Sequence, residues 1–275
     1  MTGLSRHAPS TAVAGVPHVV CDLLDAEQTR HVFDALRPEA VIHAQAQPNV
    51  DRCELEPEET TAQNVRTTAH VVDATRRIEA FLVHLSTDYV FDGMKGSAYS
   101  EDDAPNPINV YGRSKLEAER LVLEYPRSMA VRTSTLFGSG RMNFCDRIVQ
   151  ELTAGRPVEA FVDQVTSPTY AGDLAEGLGD LCQAILEAHG IAPRILHMVN
   201  TGECSRLVFA DRVRQLLRGS PELIRPIPLA QWRGPAQRPR YSALISVHLL
   251  QLIGRRLRPW DDALQAYLQQ RHWLN

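Results

Sequence analysis

The chain has 275 residues, 44% apolar and 23% charged, with a net charge of −4, which allows one large α/β domain with a lobe attached or two modest domains. A slightly acidic total gives no reason to expect nucleic acid, and five widely spaced cysteines without a C-x-x-C point to a reducing compartment, with neither a disulfide framework nor a bound metal. No apolar run approaches the ~20 residues that span a bilayer, and MTGLSRHAPS lacks an apolar signal core, so the expectation is a cytoplasmic chain with no membrane partner.

The first residues read as the tail of a strand. Val16 to Leu23 then forms a short strand ending in Asp22, and Ala26 to Leu36 a helix that Arg37-Pro38 stops. Ala40 to Ala44 is the next strand, Gln45 to Glu56 a polar loop, and Pro57 to Arg76 a helix carrying Asn64. After the Phe81 strand and a long loop come a helix from Tyr111 to about Tyr125, a strand at Met129 to Thr133, and a helix from Asn143 to about Ala154. Strands alternating with helices predict βαβ units and a doubly wound parallel sheet, a Rossmann-like α/β fold. Beyond residue 155 the rhythm breaks, apart from a strand at Ile195 to Asn200. The boundary is therefore placed there: residues 1–155 as the dinucleotide-binding domain, and 156–275 mainly as a smaller substrate-binding lobe, with 195–200 returning to the sheet. Residues 203–275 are rich in proline and arginine and hold two short helices. Arg233, Arg238, Arg240, Arg255, Arg256 and Arg258 are read as ion-pair partners or a solvated face, with recognition of an anionic substrate as the alternative.

The chemistry concentrates between Phe81 and Lys115. Phe81 to Ser86 is a mostly apolar run that reads as a buried parallel strand, so Ser86-Thr87-Asp88 lies at its carboxyl end, where open α/β sheets bind ligands. Tyr111 opens a helical pattern, and Lys115, four residues on, shares its face. A Tyr beside a Lys is expected to be a proton donor with its pKa lowered.

STDYVFDG at 86–93, Asn109-Val-Tyr-Gly-x-Ser-Lys115, His43-Ala-x-Ala with Asp51 downstream, Arg132-Thr-Ser, and Ser167-Pro-Thr-Tyr with Asp173 together resemble the extended short-chain dehydrogenase/reductases, and among them the dTDP-4-dehydrorhamnose reductases. The resemblance implies an NADPH-dependent reductase, with NADH as the alternative cofactor, acting on a nucleotide-linked 4-keto-6-deoxy sugar, and it allows a homodimer. It implies Thr87, Tyr111 and Lys115 as catalytic residues: Tyr111 as the proton donor, Lys115 also on the nicotinamide ribose, and Thr87 aligning the carbonyl oxygen. The implied cofactor contacts are Ser5 and Arg6, where a guanidinium suits a 2′-phosphate, then Asp22, Leu23, Ala44, Gln45, Ala46, Asn64 and Ser86, besides Tyr111 and Lys115. Asp88, Tyr89, Asn143 and Gln164 fall on the substrate side, and His43 is read as a strand-end core or loop histidine.

Three features depart from the family pattern. No G-x-x-G-x-x-G or G-x-G-x-x-G occurs before residue 80, so a strand, its glycine turn and a helix, together roughly 25 to 30 residues, are expected upstream of a misread start. Gln45 stands where relatives usually have a small Ala, and Thr135 where rhamnose-forming reductases often carry a Trp. A cofactor-deficient binding or regulatory member of the family is the alternative function, and an epimerase or dehydratase of the superfamily the third.

Overall fold

The computed structural model describes residues 1–8, 15–188 and 193–274. In chain order the first elements are β1 (Gly3–Ser5), β2 (His18–Val20), α1 (Ala26–Leu36), β3 (Ala40–His43), α2 (Val50–Leu55), α3 (Pro57–Thr61), a π-helical turn at Ala62–Arg66, α4 (Thr67–Arg77) and β4 (Phe81–Thr87). Then follow α5 (Val110–Leu123), β5 (Ser128–Thr133), β6 (Leu136–Phe137), α6 (Phe144–Thr153), β7 (Val158–Phe161), β8 (Val165–Thr166), β9 (Thr169–Tyr170), α7 (Ala171–Ala188) and β10 (Ile195–His197). Helices at Arg206–Leu216, Leu249–Ile253 and Trp260–Gln270 lie in the C-terminal part, one more than the sequence patterns predict. The extra one is a five-residue turn, too short to show a period.

Four parallel strands in the order β10-β5-β4-β3 form the main sheet, and β1 pairs in parallel with β2 as a separate two-stranded unit. The central strands are apolar on both faces because both are covered. Phe81, Val83, Met129 and Val131 pack against Leu174, Leu178 and Leu181 of α7. Leu82 turns the other way, into a cluster with Phe33 of α1, Val71 and Val72 of α4, and Val122 of α5. A third core, around Phe137, Ile148, Phe209 and Tyr267, joins α6 to the C-terminal helices.

Local chemistry sets the element ends. Asp25 caps α1 by accepting from the N–H groups of Glu27 and Gln28, and the helix ends with Arg37 in the left-handed region just before Pro38. The stretch expected as a polar loop contains α2, capped by Asn49 and closed ahead of Pro57. That helix buries only Cys53, so it leaves no apolar period to detect. The helix expected from Pro57 to Arg76 is continuous in direction but widened by the π-helical turn that carries Asn64.

Candidate functional site

The site is built where β4 ends and α5 begins. Two glycines allow the approach. A Cβ on Gly112 would lie 2.1 Å from the carbonyl oxygen of Tyr89, so only glycine lets the first turn of α5 rest on the Asp88–Val90 turn. Gly93, at φ +79°, would place a Cβ 2.7 Å from the backbone nitrogen of Arg240, where the C-terminal segment crosses the loop. Asn109 fixes the start of α5 by accepting from Gly112 N–H at 2.8 Å and donating to Gln237 O at 2.9 Å.

Thr87, Asp88, Tyr89 and Tyr111 come together. The Thr87 hydroxyl donates to Asp88 Oδ1 at 3.1 Å and receives the Tyr89 N–H at 3.2 Å, with the Tyr111 phenol close by. Asp88 is 3% exposed, and its Oδ2 accepts from Ser134 at 2.9 Å and from Ser242 at 2.5 Å. Its carboxyl is therefore an internal hub under Thr87, and burial pushes its pKa up against the three hydroxyl donors. The Tyr89 ring stands edge-on to Tyr111 with centroids 6.0 Å apart, and its hydroxyl receives the Gln164 amide at 3.4 Å.

Lys115 is 2% exposed. Its Nζ donates to Leu85 O at 2.7 Å and to His84 Nε2 at 3.0 Å, and burial lowers its pKa to about 8, partly opposed by Glu119. The expected lowering of the Tyr111 pKa is absent. Burial raises it, with Asp88, Cys53 and Tyr89 adding to the rise, while the Thr87 hydrogen bond alone opposes them. The physical reason is placement: the ammonium is drawn onto β4.

His84, the partner of Lys115, is a single polar member of an apolar strand, so no sequence pattern marks it. Its ring lies 5.1 Å from that of His43, a core histidine as expected, which is held near pKa 3 by burial and by Lys115.

The remaining predicted residues divide. Ser86 is 5% exposed and its Oγ has no partner among the described residues, as has Thr133 Oγ1 on the neighbouring strand. Asn64 accepts from Gln47 N–H at 2.7 Å and donates to Ser114 Oγ at 2.9 Å, tying the loop after β3 to α5. Ala44 and Ala46 lie on that loop, and the Gln45 side chain is turned onto Gln63 and Thr67. Asp22 binds the Leu24 N–H, Leu23 O meets His70 Nδ1, and Ser5 and Arg6 are exposed at the end of β1. Asn143 is the N-cap of α6, in a capping box with Asp146 and with its amide on Gly138 O.

Of the six arginines singled out, four pair with aspartates: Arg238 with Asp51, Arg240 with Asp163, Arg255 with Asp180 and Arg258 with Asp173. Arg238 also stacks 5.1 Å from the Trp232 ring, and Arg206 and Arg238 both act to lower the pKa of Tyr89, which burial holds high.

The reactive end of a nicotinamide cofactor fits this rim: Ser86 offers an unpaired buried hydroxyl, and Tyr111 and Lys115 share one helix face beside it. Among the described residues no glycine turn opens a helix after β1. No described helix is long and apolar enough to cross a membrane.

Known proteins agree with this layout. The dTDP-4-dehydrorhamnose reductase of Mycolicibacterium smegmatis is 35% identical over 248 residues, 89% of this chain and 74% of that protein. The spore coat polysaccharide biosynthesis protein SpsK of Bacillus subtilis is 33% identical over 251 residues, 91% of this chain and 86% of that one. The crystal structure of dTDP-4-dehydrorhamnose reductase from Bacillus anthracis in complex with NADP superposes with a TM-score of 0.87 at 26% identity, covering 98% of each chain. The family model described as the RmlD substrate binding domain matches residues 3–272, and the chain belongs to that family.

Proposed function

We propose that this chain is an NADPH-dependent reductase of a nucleotide-linked 4-keto-6-deoxy sugar, with Tyr111 as the proton donor. The observation that carries it is the convergence of Thr87, Tyr111 and the buried Lys115 on the carboxyl end of β4, a trio that packing alone does not require. The similar B. anthracis reductase is a complex with NADP. The bound cofactor supplies the hydride, and the protein supplies the proton and the geometry.

Tyr111 is protonated at neutral pH because burial raises its pKa. That suits an acid which must hold its proton until the ketone oxygen becomes an alkoxide, a base stronger than phenolate. Thr87, anchored on Asp88, sets a hydroxyl beside the phenol and opposes the rise of its pKa. Lys115, mostly charged at pH 7, places a cation beneath the site where negative charge collects on the phenolate. Positive charge from Arg206 and Arg238 beside Tyr89 suits an anionic nucleotide-linked substrate, with Gln164 holding the Tyr89 ring. We assign residues 1–155 to the cofactor side and 156–275 mainly to the substrate side. The unpaired cysteines fit a cytoplasmic setting.

The test is NADPH oxidation by the purified chain with dTDP-4-keto-6-deoxy sugars, alongside calorimetric titration with NADPH. Tyr111→Phe is expected to lower kcat about 10²- to 10⁴-fold with an unchanged circular dichroism spectrum. Full activity in that variant would remove Tyr111 as the acid. Failure of the native chain both to bind and to oxidise NADPH would leave the cofactor-deficient binding module.

A further inference from the structure

A lysine ammonium has three N–H donors and no acceptor. Lys115 spends one on Leu85 O and one on His84 Nε2, which leaves a single N–H for the open side of the site. Because the ammonium can only donate, His84 Nε2 must be the unprotonated nitrogen, and the ring proton sits on Nδ1. That Nδ1 is buried with no partner among the described residues, so this tautomer is held by its contact with Lys115 and not by any bond at its other nitrogen.

The ring is braced from behind. Thr68 gives its only proton to Asn64 O at 2.7 Å, so its oxygen accepts from His43 Nε2 at 3.1 Å. His43 then lies against His84, ring to ring. The charged and titratable groups facing Lys115 are His84 from β4, His43 from β3, and Tyr111 and Glu119 one turn either way on α5, with Arg132 of β5 bound to Glu119 at 2.7 Å. Both histidines are kept neutral by burial and by the lysine itself.

We propose that His84 is a positioning residue for Lys115: its neutral imidazole, in the Nδ1–H tautomer and backed by His43 and Thr68, fixes the ammonium on β4 and sustains its charge near neutral pH. This deepens the reductase reading and rests on it for the link to catalysis. The contact itself does not.

The sequence offers a direct readout, since Lys95 and Lys115 are its only lysines. With 13Cε-labelled lysine the full chain gives two titrating signals, and Lys95, partly exposed and paired with Asp103, serves as the internal reference. The expected Lys115 midpoint is about 8. In His84→Leu, which removes the acceptor, it falls by about one pH unit, while His84→Gln, whose amide oxygen can accept, keeps it near the native value. An unshifted midpoint in His84→Leu overturns the proposal. Should that variant fail to fold, 15N spectra of the native protein decide: an unprotonated His84 Nε2 supports it, and a protonated Nε2 overturns it. The alkaline limb of kcat/KM, where the ammonium loses its proton, is expected to move with the Lys115 midpoint in both variants. A midpoint that shifts while the limb stays put counts against the reductase role of Lys115 and leaves the His84 contact standing.

Discussion

Gly112→Ala sets two physical effects against each other. In an isolated helix, alanine in place of glycine is more favourable by about 1 kcal/mol. Here the added Cβ would lie 2.1 Å from Tyr89 O and 2.9 Å from Pro107 Cβ, where ordinary contact begins at 3.4 Å. The nearest atom is backbone, so α5 must lift by more than 1 Å or the turn after β4 must yield. Overpacking of this kind costs about 1–3 kcal/mol, so the net change is a loss of up to about 2 kcal/mol, or a Tm lower by roughly 4–8 °C for a chain of this size. The effect on turnover is larger, because the same shift separates Tyr111 from Thr87, and a displacement of about 1 Å can lower a rate about 10²-fold. Calorimetry with steady-state NADPH oxidation measures both. A Gly112→Ala protein that melts higher than native and keeps full activity would refute the claim that close approach of α5 to Tyr89 builds the site.

Glu119 and Arg132 form an ion pair in which each is 1% exposed, with one guanidinium nitrogen, Nη1, left without a partner. Glu119→Ala strands a buried cation and should cost about 3–5 kcal/mol in urea unfolding, whereas Glu119→Leu with Arg132→Met should recover most of it; a mild single-variant effect would show that the pair is not desolvated. Lys115 adds a pH signature. It titrates at about 8 in the fold and at ~10.4 in the unfolded chain, so between those values only the unfolded chain holds the proton and stability climbs as pH rises. The gain is on the order of 3 kcal/mol and is absent below pH 8, where both states are charged. Lys115→Met should remove this slope, and identical pH dependence in the two proteins would contradict the burial of the ammonium.

Local patterns made the strands and their order along the chain legible. FLVHLS reads as a buried strand from composition alone, and STDYVFDG followed by the Tyr-Gly-x-Ser-Lys segment marks the site. What could not be read depends on residues far apart in sequence. The partners of Asp88 include Ser242, 154 residues away, which no local pattern announces. The Asn143 side chain, expected on the substrate side, also caps α6 and reaches the Tyr267 hydroxyl, 124 residues away. The direction of the Tyr111 shift followed from spacing on a helix only so long as the lysine pointed along that helix; the competing acceptors on β4, Leu85 O and His84, were not in the pattern.

Among the described residues β3 pairs in the parallel sheet with β4 alone, and Ile42 is 43% exposed, while β1 pairs with β2 alone. The strand AVIH carries none of the charges or prolines that usually protect an edge. Alternate residues of a parallel strand send their backbone groups to opposite neighbours, so half of the β3 amides face β4 and half face the open side. Hydrogen exchange should divide them accordingly, with protected and fast-exchanging amides alternating from Ala40 to His43, against uniform protection along β4. Uniform protection along β3 would mean that another segment pairs there, whereas the alternating pattern marks β3 as an open edge beside β4, the strand whose carboxyl end carries Ser86 and Thr87.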